Sequence, residues 1–145
     1  MSQTVLITGA SNGIGKACAR VFARKGYDLI LVARHREKLE AVKAELSEYN
    51  VQIKVIAMDL TGEDAAVDLY NVLVLDDINI DILVNNAGFG DHGAFHDSSW
   101  EKQKKMVLLN IVALMQMTYV FGQAMKRRKK GRILNVASIA GLCAG

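Results

Sequence analysis

Apolar residues gather in short continuous runs along the chain: Thr4-Val5-Leu6-Ile7, Leu29-Ile30-Leu31-Val32, Val55-Ile56-Ala57-Met58, Ile82-Leu83-Val84 and Ile133-Leu134-Asn135-Val136. None alternates regularly with polar residues, so each predicts a strand covered on both faces, the situation of a parallel sheet held between helical layers. The stretches between the runs have a helical period. From Ile14 to Lys25, the residues Ile14, Ala17, Cys18, Val21 and Phe22 form a one-sided stripe predicted to face the core, and Gly26 ends that helix. From His35 to Tyr49, Leu39, Val42 and Leu46 fall inside and the charges outside. Thr61-Gly62-Glu63-Asp64 predicts a cap, with the threonine oxygen taking an orphan amide, for a third helix reaching about Asp77. Ser98 or Ser99 caps a long fourth helix running through Trp100, Met106, Leu109, Ala113, Met117 and Val120 to about Arg128, and Gly131 releases the chain into the fifth strand.

Strands and helices therefore alternate five strands deep, which predicts an α/β fold, a doubly wound parallel sheet with right-handed helical crossovers, forming one domain over residues 1–145. No internal repeat, linker or low-complexity segment interrupts it. The last apolar strand has only a short loop, from Ser138 to Gly145, after it. An uncovered strand is a template for unwanted pairing, so the chain reads as truncated after the fifth strand.

Composition adds limits. With 51% hydrophobic and 23% charged residues, the 145-residue chain has the make-up of a globular domain. No apolar run approaches the ~18 residues that cross a bilayer, and the first ten residues read as strand and turn instead of a signal sequence, so no membrane and a cytoplasmic location are expected. Cys18 and Cys143 stand alone, without disulfide or zinc spacing. Much of the net charge of +3 lies in Lys126-Arg127-Arg128-Lys129-Lys130. At the end of a helix such a cluster complements the macrodipole, and no nucleic-acid partner is expected. His92 and His96 lack an acidic partner at ligand spacing, so no metal is expected. Met106, Met115, Met117 and Met125 read as core or subunit face.

The chemistry begins after the first strand. Thr8-Gly9-Ala10-Ser11-Asn12-Gly13-Ile14-Gly15 opens directly into a helix. Glycines let the backbone turn sharply and approach a diphosphate, while the helix supplies unpaired amides and the positive end of its dipole. The spacing is G-x-x-x-G-x-G. On these residues the chain resembles the short-chain dehydrogenase/reductase family, whose T-G-x-x-x-G-I-G element it matches without a mismatch. Asn85-Asn86-Ala87-Gly88, after the fourth strand, is similar to the family's N-N-A-G element.

The resemblance implies a Rossmann-like fold and a nicotinamide cofactor held by Gly9, Ser11, Asn12, Gly13, Ile14 and Gly15, with Asn86, Ala87 and Gly88 beneath the adenine ribose. Asp59 and Leu60 resemble the adenine contact, although an acid there equally suits the capping of the turn that follows. An NAD site places a carboxylate at the end of the second strand for the ribose 2′-hydroxyl. Here Ala33 occupies that place and Arg34 follows. A small residue leaves room for a 2′-phosphate and a guanidinium binds it with paired hydrogen bonds, so NADP(H) is preferred, with NAD(H) possible. The plain alternative is that Arg34 is an exposed arginine at the start of a helix. His35 and Arg36 add positive charge nearby.

The resemblance further implies an oxidoreductase that transfers hydride between nicotinamide and a carbonyl or secondary alcohol, with Ser138 orienting the substrate oxygen and Asn110 holding a relay water. A structural partner for Asn110 is the alternative. The family's tyrosine and lysine, in a Y-x-x-x-K pair, would fall beyond Gly145, and none of Tyr27, Tyr49, Tyr70 and Tyr119 is followed four residues later by lysine. The 145 residues alone are therefore expected to be inactive. Rival readings are a noncatalytic dinucleotide-binding or interaction domain, and a truncated chain without a stable fold. The long helix packs against its counterpart in the family, which implies a homo-oligomer. The substrate would be a small molecule whose identity the residues leave open.

Overall fold

The computed structural model describes residues 2–139. Five strands, β1 (Thr4–Thr8), β2 (Asp28–Ala33), β3 (Ile53–Ala57), β4 (Ile82–Asn85) and β5 (Arg132–Asn135), form one parallel sheet in the order β3-β2-β1-β4-β5. The helices between them are α1 (Gly13–Arg24), α2 (Arg36–Glu45) and α3 (Ala65–Leu75), followed by a long composite of α4 (Trp100–Val107), a π-helical segment (Leu108–Ala113) and α5 (Leu114–Arg128). The fold is the doubly wound Rossmann-like α/β sheet, with β1 at its centre.

Covering both faces is what the continuous apolar runs require. In β1, Val5 and Ile7 point to a cluster with Leu29, Leu31 and Val84, capped by Ala19 and Ala23 of α1 and Leu39, Val42 and Leu46 of the second helical stretch. Leu6, between them, points the other way, to Ile30, Val32, Leu83, Leu69 and Leu73 of α3 and Met117 and Phe121 of α5. Each fully buried aliphatic side chain contributes about 1.5–3 kcal/mol, so two such layers fix the strand register.

Several sequence expectations meet corrections. The stripe predicted for the first helix is not its buried face: Gly15, Ala19 and Ala23 are buried, while Ile14 and Val21 are 59% and 43% exposed. Small residues let α1 lie close on the sheet, and the larger ones flank the contact. The third strand starts two residues early because Lys54 lies inside it, its ammonium paired with Asp76 at 2.6 Å, and an apolar run does not register a lysine. Thr61 does not cap the third helix. It donates from both its backbone and its hydroxyl to Asp59 Oδ1, at 3.0 and 2.8 Å, and the helix begins later at Ala65. Its end, expected near Asp77, comes at Leu75. Ser99, not Ser98, caps α4, accepting from Lys102 N at 3.3 Å.

The long helix also corrects the expectation about apolar length. Trp100–Arg128 spans 29 residues at a mean hydropathy of 1.4 and is long and apolar enough to cross a membrane by length and composition. In this fold its buried residues, among them Met117, Phe121 and Met125, belong to the core beneath the sheet. Met115, by contrast, is 63% exposed. In the basic run at its end, Arg127 donates to the Tyr70 hydroxyl, Arg128 donates to Asn79, and Lys130 pairs with Asp81 at 2.9 Å, tying the helix to α3 and β4. Among the described residues β4 is the one sheet neighbour of β5, and Ile133 and Leu134 are 37% and 47% exposed. Cys143 and most of the loop expected after Ser138 lie outside the described residues.

Candidate functional site

The strand order reverses beside β1: the chain moves outward to β2 and β3, then returns across β1 to β4 and β5. In open parallel sheets the crevice at such a switch, outside the carboxyl ends of the strands, is where ligands bind. Gly9 leaves β1 on one side of it and Asn86 leaves β4 on the other.

These two segments are knotted together by polar groups rather than by packing. Thr8 is 2% exposed; its hydroxyl donates to Val84 O at 3.3 Å and accepts from Asn86 N and Ala87 N at 3.0 and 2.9 Å. Asn86 Nδ2 donates to the carbonyls of Thr8 and Gly9 at 3.1 and 3.2 Å. Asn85, 4% exposed, donates to Thr118 Oγ1 at 3.0 Å and to Asn135 Oδ1 at 2.9 Å, linking β4 to α5 and β5. Buried polar groups must be satisfied, and here their partners fix the mouth of the crevice.

Close approach demands glycine at two places. A Cβ on Gly15 would stand 2.3 Å from the Gly9 carbonyl oxygen, and one on Gly9, whose φ is +64°, would stand 2.9 Å from Ala87 Cα. The first turn of α1 is thereby pressed onto the turn that leaves β1.

Two adjoining cavities open along this edge. The smaller, about 280 Å³, is lined by Gly9, Ser11, Asn12, Arg34, Asp59, Leu60, Ala87 and Gly88, together with Ala33, His35 and Lys38. The larger, about 850 Å³, shares Gly9, Asn12, Ala87 and Gly88 and adds Ile14, Asn86, Asp91, Asn110 and Ser138. Most of the residues singled out in the sequence thus come together in one trough. Gly13 and Gly15 line neither cavity; Gly15 is buried behind the loop. Arg36 also lies off the trough, 3.9 Å from Glu40 on the outer face of α2. Lys38, not anticipated from the sequence, takes its place. Its spacing four residues after Arg34 was the available signal.

Electrostatics separate the two ends. At the smaller cavity the backbone N–H of Thr61, followed by its hydroxyl and the charges of Arg34 and Lys105, holds the Asp59 carboxyl below the usual carboxylate range against the effect of burial. Both Thr61 bonds fall on Oδ1, which leaves Oδ2 as a further acceptor. At the larger cavity Asp91 accepts from Lys102 Nζ and Ser98 Oγ, and from His92 N at 3.0 Å. The Lys102 bond and then the Ser98 bond lower its pKa to about 2. This clasp, which the sequence reading missed, staples the loop after β4 to α4.

Asn110 sits in the π-helical segment, a local widening often found at functional sites. Its carboxamide exchanges two hydrogen bonds with the Phe89 main chain, so the structural partner foreseen for it exists. One lone pair and one N–H of the carboxamide remain for a water.

Known proteins are similar to this chain in sequence and fold. The family described as short chain dehydrogenase matches residues 3–145. A very-long-chain 3-oxoacyl-CoA reductase of Coccidioides immitis is 36% identical over 94% of this chain and 40% of its own length. Among solved structures, a short-chain dehydrogenase from Sphingobium yanoikuyae in complex with NADPH superposes with a TM-score of 0.89 at 36% identity, covering 97% of this chain and 56% of that one. An alcohol dehydrogenase from Thermococcus sibiricus complexed with 5-hydroxy-NADP superposes at 0.91 with 29% identity, covering 100% of this chain and 62% of that one. The chain spans about half the length of the curated relatives it matches. With the glycine turn, the asparagine knot and a family match along almost its whole length, the chain belongs to the short-chain dehydrogenase family.

Proposed function

We propose that this chain is the cofactor-binding portion of an NADP(H)-dependent oxidoreductase acting on a carbonyl or secondary alcohol. The observation that carries the reading is the end of β2: Ala33 and Arg34 line the small cavity beside the glycine turn, where an NAD site would offer a carboxylate. A guanidinium there suits a 2′-phosphate, and a small neighbour leaves space for it. The relatives crystallised with NADPH and with an NADP derivative are consistent with this choice.

In this reading Gly9, Ser11, Asn12, Gly13, Ile14 and Gly15 present the opening of α1 to the diphosphate, Gly13 and Gly15 through the shape of the turn. Asp59 Oδ2 accepts from the adenine amine beside Leu60, while Oδ1 stays with Thr61. Asn86, Ala87 and Gly88 form the floor. When bound, nicotinamide supplies or receives a hydride at the substrate carbon. Ser138 donates a hydrogen bond to the substrate oxygen from the rim of the larger cavity. Asn110 fixes the Phe89 main chain with one pair of its hydrogen-bonding groups and holds a relay water with the other.

No tyrosine in these 145 residues is followed four positions later by lysine. Positioned proton transfer is worth roughly 10²–10⁴-fold, so the chain by itself binds cofactor without turning it over. Calorimetric titration with NADPH tests the cofactor assignment: saturable one-site binding is expected, and no heat at millimolar ligand on folded protein would remove it. The exposed side of the long helix, including Met115 and Tyr119, is the surface we assign to a homo-oligomeric contact.

A further inference from the structure

We infer that the peptide bond between Asn12 and Gly13 is a site of spontaneous covalent modification, where ring closure through the Gly13 nitrogen turns Asn12 into an aspartyl or isoaspartyl residue and shuts the trough to a dinucleotide. The reaction stands on the geometry of the loop. Its consequence rests on the NADP(H) reading above.

Several features single out this place. Asn12 is the one asparagine followed by glycine; every other precedes Val, Ile, Ala or a second asparagine, whose side chain crowds the nitrogen that would attack. Asn12 and Gly13 are both exposed, and nothing stands within 4 Å of where a Gly13 Cβ would lie. Asn12 occupies the N-cap of α1, yet its carboxamide makes no capping hydrogen bond, and no other bond ties it to the described residues. The carboxamide is therefore free to turn toward the next peptide nitrogen. Gly13 is the first residue of the helix, where an N–H has no intrahelical acceptor. The positive end of the helix dipole also favours the anionic nitrogen that attacks.

Water is the only reagent the step needs. Hydroxide removes the Gly13 amide proton, the nitrogen bonds to Asn12 Cγ, the Cγ–Nδ2 bond breaks, and ammonia leaves after taking up a proton. Water then opens the cyclic imide. Cleavage of the new bond between Gly13 N and Cγ gives aspartate. Cleavage of the bond to the main-chain carbonyl gives isoaspartate, whose extra methylene enters the backbone. Either product puts a carboxylate on the wall that both cavities share, since Asn12 lines each of them. Aspartate caps a helix as well as asparagine does and suits its dipole, so conversion to aspartate leaves α1 folded. At the same amides it repels a diphosphate.

The test incubates the 145-residue chain in mildly alkaline buffer and follows the tryptic peptide Met1–Lys16, in which Asn12 is the one asparagine, against Ala44–Lys54, in which Asn50 precedes Val51. Met1–Lys16 should gain the mass that exchanges a carboxamide for a carboxylate more than roughly tenfold faster than Ala44–Lys54. Asn12→Ser, which keeps a capping residue, should abolish the gain. Asn12→Asp should keep the melting temperature of the fresh wild-type chain and bind NADPH roughly tenfold or more weakly. Conversion no faster in Met1–Lys16 than in Ala44–Lys54 overturns the inference, and so does full NADPH affinity in Asn12→Asp. A fresh wild-type chain that converts at Asn12 without ever binding NADPH removes the NADP(H) reading and the consequence drawn from it, and upholds the modification site.

Discussion

The carboxamide of Asn110 and the main chain of Phe89 satisfy each other in both directions, Phe89 N–H donating to Oδ1 at 3.1 Å and Nδ2 donating to Phe89 O at 2.8 Å. One side chain in the widened turn of the long helix therefore sets the path of the loop that follows the N-N-A-G segment. Asn110→Leu should remove both bonds, at a cost of about 0.5–1.5 kcal/mol each. The Phe89 amide should then exchange faster with solvent, and NADPH affinity should fall. Unchanged exchange at Phe89 would mean that the pair does not hold the loop.

Thr8 performs a comparable task at the heart of the crevice, where its buried hydroxyl serves Val84 O, Asn86 N and Ala87 N. Thr8→Val keeps the shape and strands those groups. A buried amide left without its partner costs about 1–3 kcal/mol, so the denaturant midpoint should drop accordingly. A midpoint equal to that of the wild-type chain would show that water replaces the hydroxyl.

Gly15→Ala presses a methyl group against the Gly9 carbonyl, 2.3 Å from the ideal Cβ. Backbone on both sides cannot swing away, so α1 must lift from the turn. Overpacking of this kind costs about 1–3 kcal/mol, and nucleotide binding should weaken well beyond what the loss of stability explains. Full NADPH affinity in a folded Gly15→Ala chain would contradict the close packing of loop and helix.

Asp91 gives the loop a pH signature. Its carboxyl is held down to about 2, first by Lys102 and then by Ser98, from an ordinary value of 3.8. A carboxyl with a depressed folded pKa stabilises the folded state above its unfolded value, and that contribution disappears as pH falls from about 4 toward about 2. Asp91→Asn should therefore lower the melting temperature near neutrality and flatten its decline between about pH 4 and pH 2. Parallel melting curves for the two proteins across that range would dismiss the clasp.

The sequence made the alternation of strands and helices plain because strands buried on both faces must be apolar throughout, as in Val5-Leu6-Ile7 and Leu29-Ile30-Leu31-Val32. The second helical stretch was equally plain, since Leu39, Val42 and Leu46 are buried as their spacing requires. The buried face of the first helix is not legible from hydrophobicity, because close approach to the sheet selects the small residues Gly15, Ala19 and Ala23. Asp59 and Thr61 show a different limit. Composition signals a cap, but which group donates and which accepts depends on the turn that brings them together. The widening at Leu108–Ala113 left no trace in spacing, because the helix on either side keeps its ordinary period. Spacing alone does not distinguish Lys38 from Arg34-His35-Arg36, and only the start of α2 decides which of these side chains line the cavity.

The central claim is that the end of β2 selects a phosphorylated ribose. The direct measurement is the ratio of NADPH to NADH dissociation constants for the wild-type chain and for Arg34→Ala. A wild-type preference for NADPH that shrinks by roughly tenfold or more on mutation, with NADH affinity held, is the predicted result. Equal affinities for the two cofactors in the wild-type chain would contradict it.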